Sequence, residues 1–280
     1  MSVNRRNSAA TWRSRTSFRN RSGELHAQVV VGDFCIGLGH CRPLRPVPLA
    51  DKTGLPVGIK SAVGELQFWK DLAQQMATTD RGVDFITIDG GEGGTGAAPL
   101  TFSDHVALPF KLAFAKVYRE FVAAEMTDKV VFIGSGKLGF PEAALLAMAL
   151  GCDMVNVGRE AMLSVGCIQA LKCHTGYCPT GVATQNKWLM TGLDPTFKSA
   201  RLANYLATLR KDLLQLSRAC GKQHPALITT EHLDILNDHF GAMSVAECFG
   251  YQSEWGLPNE ADCAAINQLM ASAARAVEAV

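Results

Sequence analysis

From Leu55 to Cys173 the chain repeats one pattern: a short apolar run, a break marked by Gly or Pro, then a longer stretch with apolar residues at helical spacing. "LPVGIKS" (55–61) reads as a strand and "VGELQFWKDLAQQMA" (63–77) as a helix. The strand "VDFITIDG" (83–90) precedes the helix "LPFKLAFAKVYREFVAAEM" (108–126), and "KVVFIGSG" (129–136) precedes "PEAALLAMALG" (141–151), where Pro141 suits a first helical turn. A fourth unit pairs "MVNVG" (154–158) with the helix "REAMLSVGCIQALKC" (159–173). Four strand-helix units in a row predict a parallel sheet with helices packed outside it. The strands are apolar on both faces, as parallel strands should be.

The flanks differ. Residues 1–22 hold six arginines, five serines and no acid, a composition shared by organellar transit peptides and by leaders without regular structure. In residues 29–50 a strand-like start gives way to Gly and Pro at irregular spacing, with no helical or strand period. Residues 195–220 predict a long helix with a stripe of Leu202, Leu206, Leu209, Leu213 and Leu216, suited to covering the sheet or pairing with a partner.

Charge and composition exclude several classes. The net charge of +1 conceals eight arginines in residues 1–50, while the remainder carries more acids than bases, which argues against nucleic acid as a partner. No apolar window is long enough for a membrane span. Nine cysteines, an odd number, and no signal-peptide pattern point to reduced thiols and a cytoplasmic setting.

Gly91, Gly93 and Gly96 spell the G-x-G-x-x-G of a dinucleotide turn, which must open a helix directly. Pro99 blocks that helix, and the next one is expected only near Leu108, before Pro109. The dinucleotide reading fails. A long glycine-dense loop at the carboxyl end of a parallel strand instead lets main chain approach a flat or anionic ligand. Asp89 and Glu92 are its polar groups, either contacting such a ligand or tying the loop down. Lys60 closes the preceding strand, placed to reach into the same site or to face solvent. Ser135, Gly136 and Lys137, then Gly158 and Arg159, end the next two strands and offer the amides and cations that a phosphate monoester needs.

Cys167, Cys173 and Cys178 form C-x5-C-x4-C with Pro179 following. Six residues turn about 240° round a helix, so the chain must unwind near Cys173 for the sulfurs to meet. Three thiolates on a wrapping loop suit an iron-sulfur cluster; a zinc site using His174 and three buried structural thiols are the alternatives. Cys35, Cys41, Cys152, Cys220, Cys248 and Cys263 lack such spacing and read as structural.

"GGEGGTGAAP", "SGK" and "CIQALKCHTGYCPTGVATQ" together resemble the FMN-binding barrel domain of the glutamate synthase large subunit, over about residues 53–245, and above all its shorter stand-alone relatives. The resemblance implies a TIM-type (β/α)8 barrel of which the C-terminal half is recognisable: residues 1–52 an unmatched leader, 53–190 the half-barrel with its iron-sulfur motif, 191–280 a helical extension. It implies FMN held by Lys60, Asp89, Gly90, Gly91, Gly93, Gly94, Thr95, Ser135, Gly136, Lys137, Gly158 and Arg159, with Lys60 and Glu92 as catalytic residues. It implies a [3Fe-4S] cluster on Cys167, Cys173 and Cys178. The implied reaction reduces 2-iminoglutarate, formed from 2-oxoglutarate and ammonia, to L-glutamate. Electrons would come from a donor subunit or a ferredoxin. Half a barrel leaves open edges, so self-association to complete it is an expected partnership. A non-catalytic interaction module of the same family, or another FMN barrel oxidising inosinate or hydroxyacids, are the competing readings.

Overall fold

The computed structural model describes residues 54–79, 81–92, 105–236 and 241–272, and the backbone of 29–32 and 273–278. Its centre is a five-stranded parallel sheet. The strands are β1 (Val29–Gly32), β2 (Val57–Ala62), β3 (Phe85–Asp89), β4 (Val131–Ser135) and β5 (Met154–Asn156), lying in chain order. Four of them coincide with the expected strands. The fifth, β1, corrects the reading of residues 1–52 as an unstructured leader: "VVVG" pairs in parallel with β2, from Val29 opposite Val57 to Gly32 opposite Lys60. It coincides with the strand-like start read at residue 29, and the ladder gives it a partner.

Strict sequential order means that every connection advances in the same direction, and right-handed crossovers then put all connecting helices on one face. These are α1 (Gln67–Thr78), α2 (Phe110–Ala123) and α3 (Pro141–Ala149). One cluster joins Ile59, Ile86, Ile88 and Phe132 of the sheet to Trp69, Phe114, Phe121 and Leu146 of these helices. Phe132 lies edge-on to Tyr118 and Phe121, with ring centroids 5.3 Å apart in each case. Gly134 keeps that face flat, since a Cβ there would lie 2.8 Å from the Phe110 ring and 2.9 Å from Cys152 Sγ. The opposite face carries a separate cluster of Phe85, Val131 and Ile133 with Met154 against it. Both faces are apolar, as expected.

Helix α1 starts four residues later than its periodicity predicts, because Val63 is held in a loop where its carbonyl accepts from the Leu108 amide at 2.9 Å. The larger correction is α4, which spans only Arg159–Ser164 and not 159–173. It closes with paired bonds, Gly166 N to Leu163 O and Cys167 N to Met162 O, both 3.0 Å, around Gly166 at φ +108°. This is the glycine-terminated helix end in which a positive φ is required.

A loop containing α5 (Lys187–Met190) leads to α6 (Pro195–Ala219), whose first turn is capped by Asp194 Oδ1 accepting from Thr196 N and Phe197 N at 3.0 and 3.3 Å. Of the leucine stripe, Leu209 is buried and Leu213 and Leu216 pack on Leu145, Ala149 and Ile228, so the helix covers α3 and not the sheet. Leu206 stays 46% exposed. The C-terminal segment is not purely helical: β6 (Asp234–Leu236) and β7 (Ala242–Ser244) pair antiparallel before α7 (Val245–Phe249) and α8 (Glu260–Glu278). Tyr251 ties it to the core, stacking on Tyr118 at 5.8 Å and donating to the Leu150 carbonyl at 2.9 Å. Among the described residues no helix is long and apolar enough to cross a membrane.

Candidate functional site

The carboxyl ends of β2 to β5 lie side by side, and the register decides what shares a face. On the face away from the helices, Lys60 stands opposite Thr87, Asp89 opposite Ser135, and Ser135 opposite Asn156. Lys60 Nζ lies 2.9 Å from Asp89 Oδ2, with the two side chains 43% and 35% exposed. Backbone bonds stitch the loops above: Gly90 N donates to Ser135 O at 2.7 Å and Gly91 N to Leu108 O at 2.8 Å.

Glu92 turns away from this face. Both of its carboxylate oxygens accept from the Phe110 amide, at 3.0 and 2.8 Å, capping the start of α2 where an amide has no partner within the helix. Gly90, Gly91 and Gly136 are packed against this cap: a Cβ on Gly90 or Gly136 would strike Phe110 or Glu92, and one on Gly91 would lie 2.8 Å from the Ala107 carbonyl. The glycines of these loops therefore serve chain-to-chain contact. Beside them a cleft of about 210 Å3 runs between Glu92, Phe110 and Lys111 on one side and Gly136, Lys137 and Leu138 on the other. Lys111 is a cation that periodicity alone assigns to a helix face and not to a site. Lys137 follows Gly136 in a positive-φ pair, at +52° and +148°.

Gly158 differs from the other glycines. Among the described residues nothing lies within 4 Å of where its Cβ would project. Arg159 opens α4 there, half-buried. Gly93, Gly94 and Thr95 lie outside the described residues.

The thiol loop begins where α4 closes, so Cys167 leaves the helix at once and the expected unwinding at Cys173 comes a full turn and more too late. Gln169 and Leu171 adopt φ +55° and +56°, Gly176 +75° and Gly181 +76°, which bends the chain repeatedly. Cys167 Sγ accepts from the Gln169 amide at 3.4 Å. Cys173 opens a single 3-10 turn ending at Thr175, and Thr184 Oγ1 donates to the Gly176 carbonyl across the loop. Cys178 is buried, 3.4 Å from Thr180 Oγ1. Burial pushes its thiol up, but hydrogen bonds from the Thr180 hydroxyl and the amides of Ala183, Thr180 and Val182 outweigh that and bring it down to about 7. Cys152, beneath Gly134, is held well above the ordinary thiol range by burial, in keeping with a structural residue.

Among the described residues no three His, Cys, Asp or Glu side chains are gathered as a metal-binding group. The three thiols thus share one bent loop without being drawn to a point. The donor chemistry at two of them nevertheless fits a thiolate-bound cluster, because amide-to-sulfur hydrogen bonds stabilise the anion that iron requires. For a flavin, the open space at Gly158 and the cations Lys60, Lys137 and Arg159 fit an anionic, phosphate-bearing group.

Basic and glycine-bearing loops at the carboxyl ends of parallel strands, followed by a thiol loop, define an α/β protein with its loops gathered at one end of the sheet. Residues 53–223, more than half of the chain, match the family described as "Conserved region in glutamate synthase", and the chain belongs to the glutamate synthase family. It is 40% identical over 185 residues to the glutamate synthase large subunit-like protein YerD of Bacillus subtilis, covering 66% of this chain and 35% of that protein. It is 37% identical over 150 residues to the archaeal glutamate synthase [NADPH] of Methanocaldococcus jannaschii, covering 54% of this chain and 29% of that one. A ferredoxin-dependent glutamate synthase of Cyanidium caldarium matches at 39% over 108 residues, 39% of this chain and 7% of the relative. The chain spans about a third of the length of the first two relatives.

Proposed function

We propose that this chain is the carboxyl-terminal half of a (β/α)8 barrel that binds FMN and a [3Fe-4S] cluster and takes part in reducing 2-iminoglutarate, from 2-oxoglutarate and ammonia, to L-glutamate. The observation that carries this reading is the placement of Lys60 near the end of β2, the Ser135–Lys137 turn at the end of β4 and the Gly158–Arg159 helix start after β5, with Cys167 only eight positions beyond Arg159. Sequential strand order with all crossover helices on one face supports the barrel, since a doubly wound sheet reverses its order at the ligand.

In this reading Lys137, Gly158 and Arg159 hold the phosphate, and Gly90, Gly91, Gly93, Gly94 and Thr95 border the ring. Lys60 holds a positive charge beside it. Bound FMN supplies hydride transfer to the imine carbon. Glu92, engaged on the Phe110 amide, acts as a positioning residue that fixes the glycine loop to α2. Cys167, Cys173 and Cys178 hold the cluster, the anions at Cys167 and Cys178 supported by backbone amides. Electrons enter from a donor subunit or a ferredoxin.

The test is anaerobic reconstitution with FMN, iron and sulfide. The expected product binds FMN saturably with quenched fluorescence, contains iron, and forms glutamate from 2-oxoglutarate and ammonia with a reduced dye as donor. A flavin-free, iron-free product refutes the reading; cluster without flavin supports the non-catalytic module instead. Among the described strands β1 and β5 each pair on one side only, which favours a second half-barrel, such as a second copy of this chain, as partner. Mass measurement under native conditions tests that point.

A further inference from the structure

We propose that Asp89 is a positioning residue that holds the Lys60 ammonium at the strand ends and withholds part of its positive charge from whatever anionic group occupies that face. The inference rests on the flavin reading above and concerns how the site is tuned. Lys60 and Asp89 are not direct neighbours in the ladder: Lys60 is opposite Thr87 and Asp89 opposite Ala62, so the 2.9 Å contact reaches across the diagonal. Both side chains stand on the face that carries Phe85 and Ile133, beyond that apolar cluster and partly open to solvent.

A pair this exposed contributes little to stability, so the sheet itself has small need of it. Its electrostatic consequence is larger. A lone ammonium at the strand ends would offer a full positive charge to an anionic ligand. With a carboxylate in contact, the ligand meets a near-neutral pair and competes with Asp89 for the same nitrogen. A flavin ring gains negative charge on reduction, so Asp89 would oppose the reduced form through its hold on Lys60. The sequence suggests Asp89 as a direct cofactor contact; the geometry turns it toward Lys60.

Asp89→Asn keeps the shape and removes the charge. In flavin-free protein, the acetylation rate of Lys60, read by peptide mass spectrometry against exposed Lys116 as internal reference, should rise about threefold in D89N. Equal rates overturn the clamp. In FMN-loaded protein, D89N should favour reduced over oxidised flavin about tenfold, which is about 30 mV upward for a two-electron couple. In a Lys60→Met background the same change should leave the potential where K60M alone puts it. An FMN-binding protein whose potential ignores D89N, or falls, overturns the inference and leaves the flavin reading standing. A wild-type protein that binds no FMN overturns the flavin reading, and the charge-withholding role with it, even where labelling supports the clamp. Unchanged thermal midpoints for D89N and K60M verify that the variants are folded.

Discussion

Two glycines bracket α4, and substituting each by alanine should give opposite results. Gly166 sits at φ +108°, where an L side chain is strained, and it closes the helix so that Cys167 leaves in the right direction. The new Cβ would meet Lys198 Nζ at 2.9 Å, but that is the far end of a flexible chain and adds little. The cost is therefore the backbone's, on the order of 1–3 kcal/mol. At about 2 kcal/mol the closed loop is disfavoured roughly thirtyfold, and the thermal midpoint falls by about 4–8 °C. Gly158 has φ −107° and ψ −67° with open space around it, so Gly158→Ala should leave the ligand-free protein unchanged or more stable by about 0.4–1 kcal/mol. Denaturant unfolding of the two variants beside wild type, with thiol labelling of Cys167 as a local probe, measures both. If Gly166→Ala is as stable as wild type and Cys167 labels at the wild-type rate, the helix-closing argument is wrong. In FMN titrations Gly158→Ala should bind more weakly, because its methyl group fills the space assigned to the phosphate.

Other perturbations test the core, the cap and the pH response. Phe132→Ala removes a fully buried ring in edge contact with Tyr118 and Phe121 and should cost about 3–5 kcal/mol, read as a shifted urea midpoint at unchanged slope. Glu92→Ala leaves the Phe110 amide without its cap and should cost about 0.5–2 kcal/mol, whereas Glu92→Gln should lose less; equal stability of all three proteins would contradict the capping role. His224 is held below its ordinary 6.5, first by burial and then by Arg210, while its Nδ1 accepts from the Ala226 amide at 3.2 Å. The folded state thus prefers the neutral ring: stability is full above about pH 6.5 and declines as the pH falls toward the lower folded-state value. His224→Gln should flatten that decline in unfolding experiments below about pH 6.5.

Local chemistry made much of this molecule readable. Apolar runs alternating with helical spacing identified β2 to β5 and the helices between them, because burial on both faces of a parallel sheet demands such runs. Pro99 and Pro109 ruled out a dinucleotide turn, and α2 indeed begins at Phe110, directly after Pro109. Gly166 also carried a local signal that helical periodicity overrode: a glycine after "LSV" ends α4 early, and the apolar residues beyond it, Ile168 and Leu171, lie exposed on the loop. Tertiary contact decided the rest. The partner of β1 is β2, and Leu206 stays exposed while Tyr205 beside it donates to the Gly139 carbonyl. Whether Glu92 faced a ligand or a helix start depended on where Phe110 came to lie. The pairing of Lys60 with Asp89 depended on a register in which residues 29 positions apart in the chain share a diagonal on one face. Patterns along the chain report what each segment must bury, since burial acts residue by residue; direction and partnership of polar side chains arise only when separate segments meet.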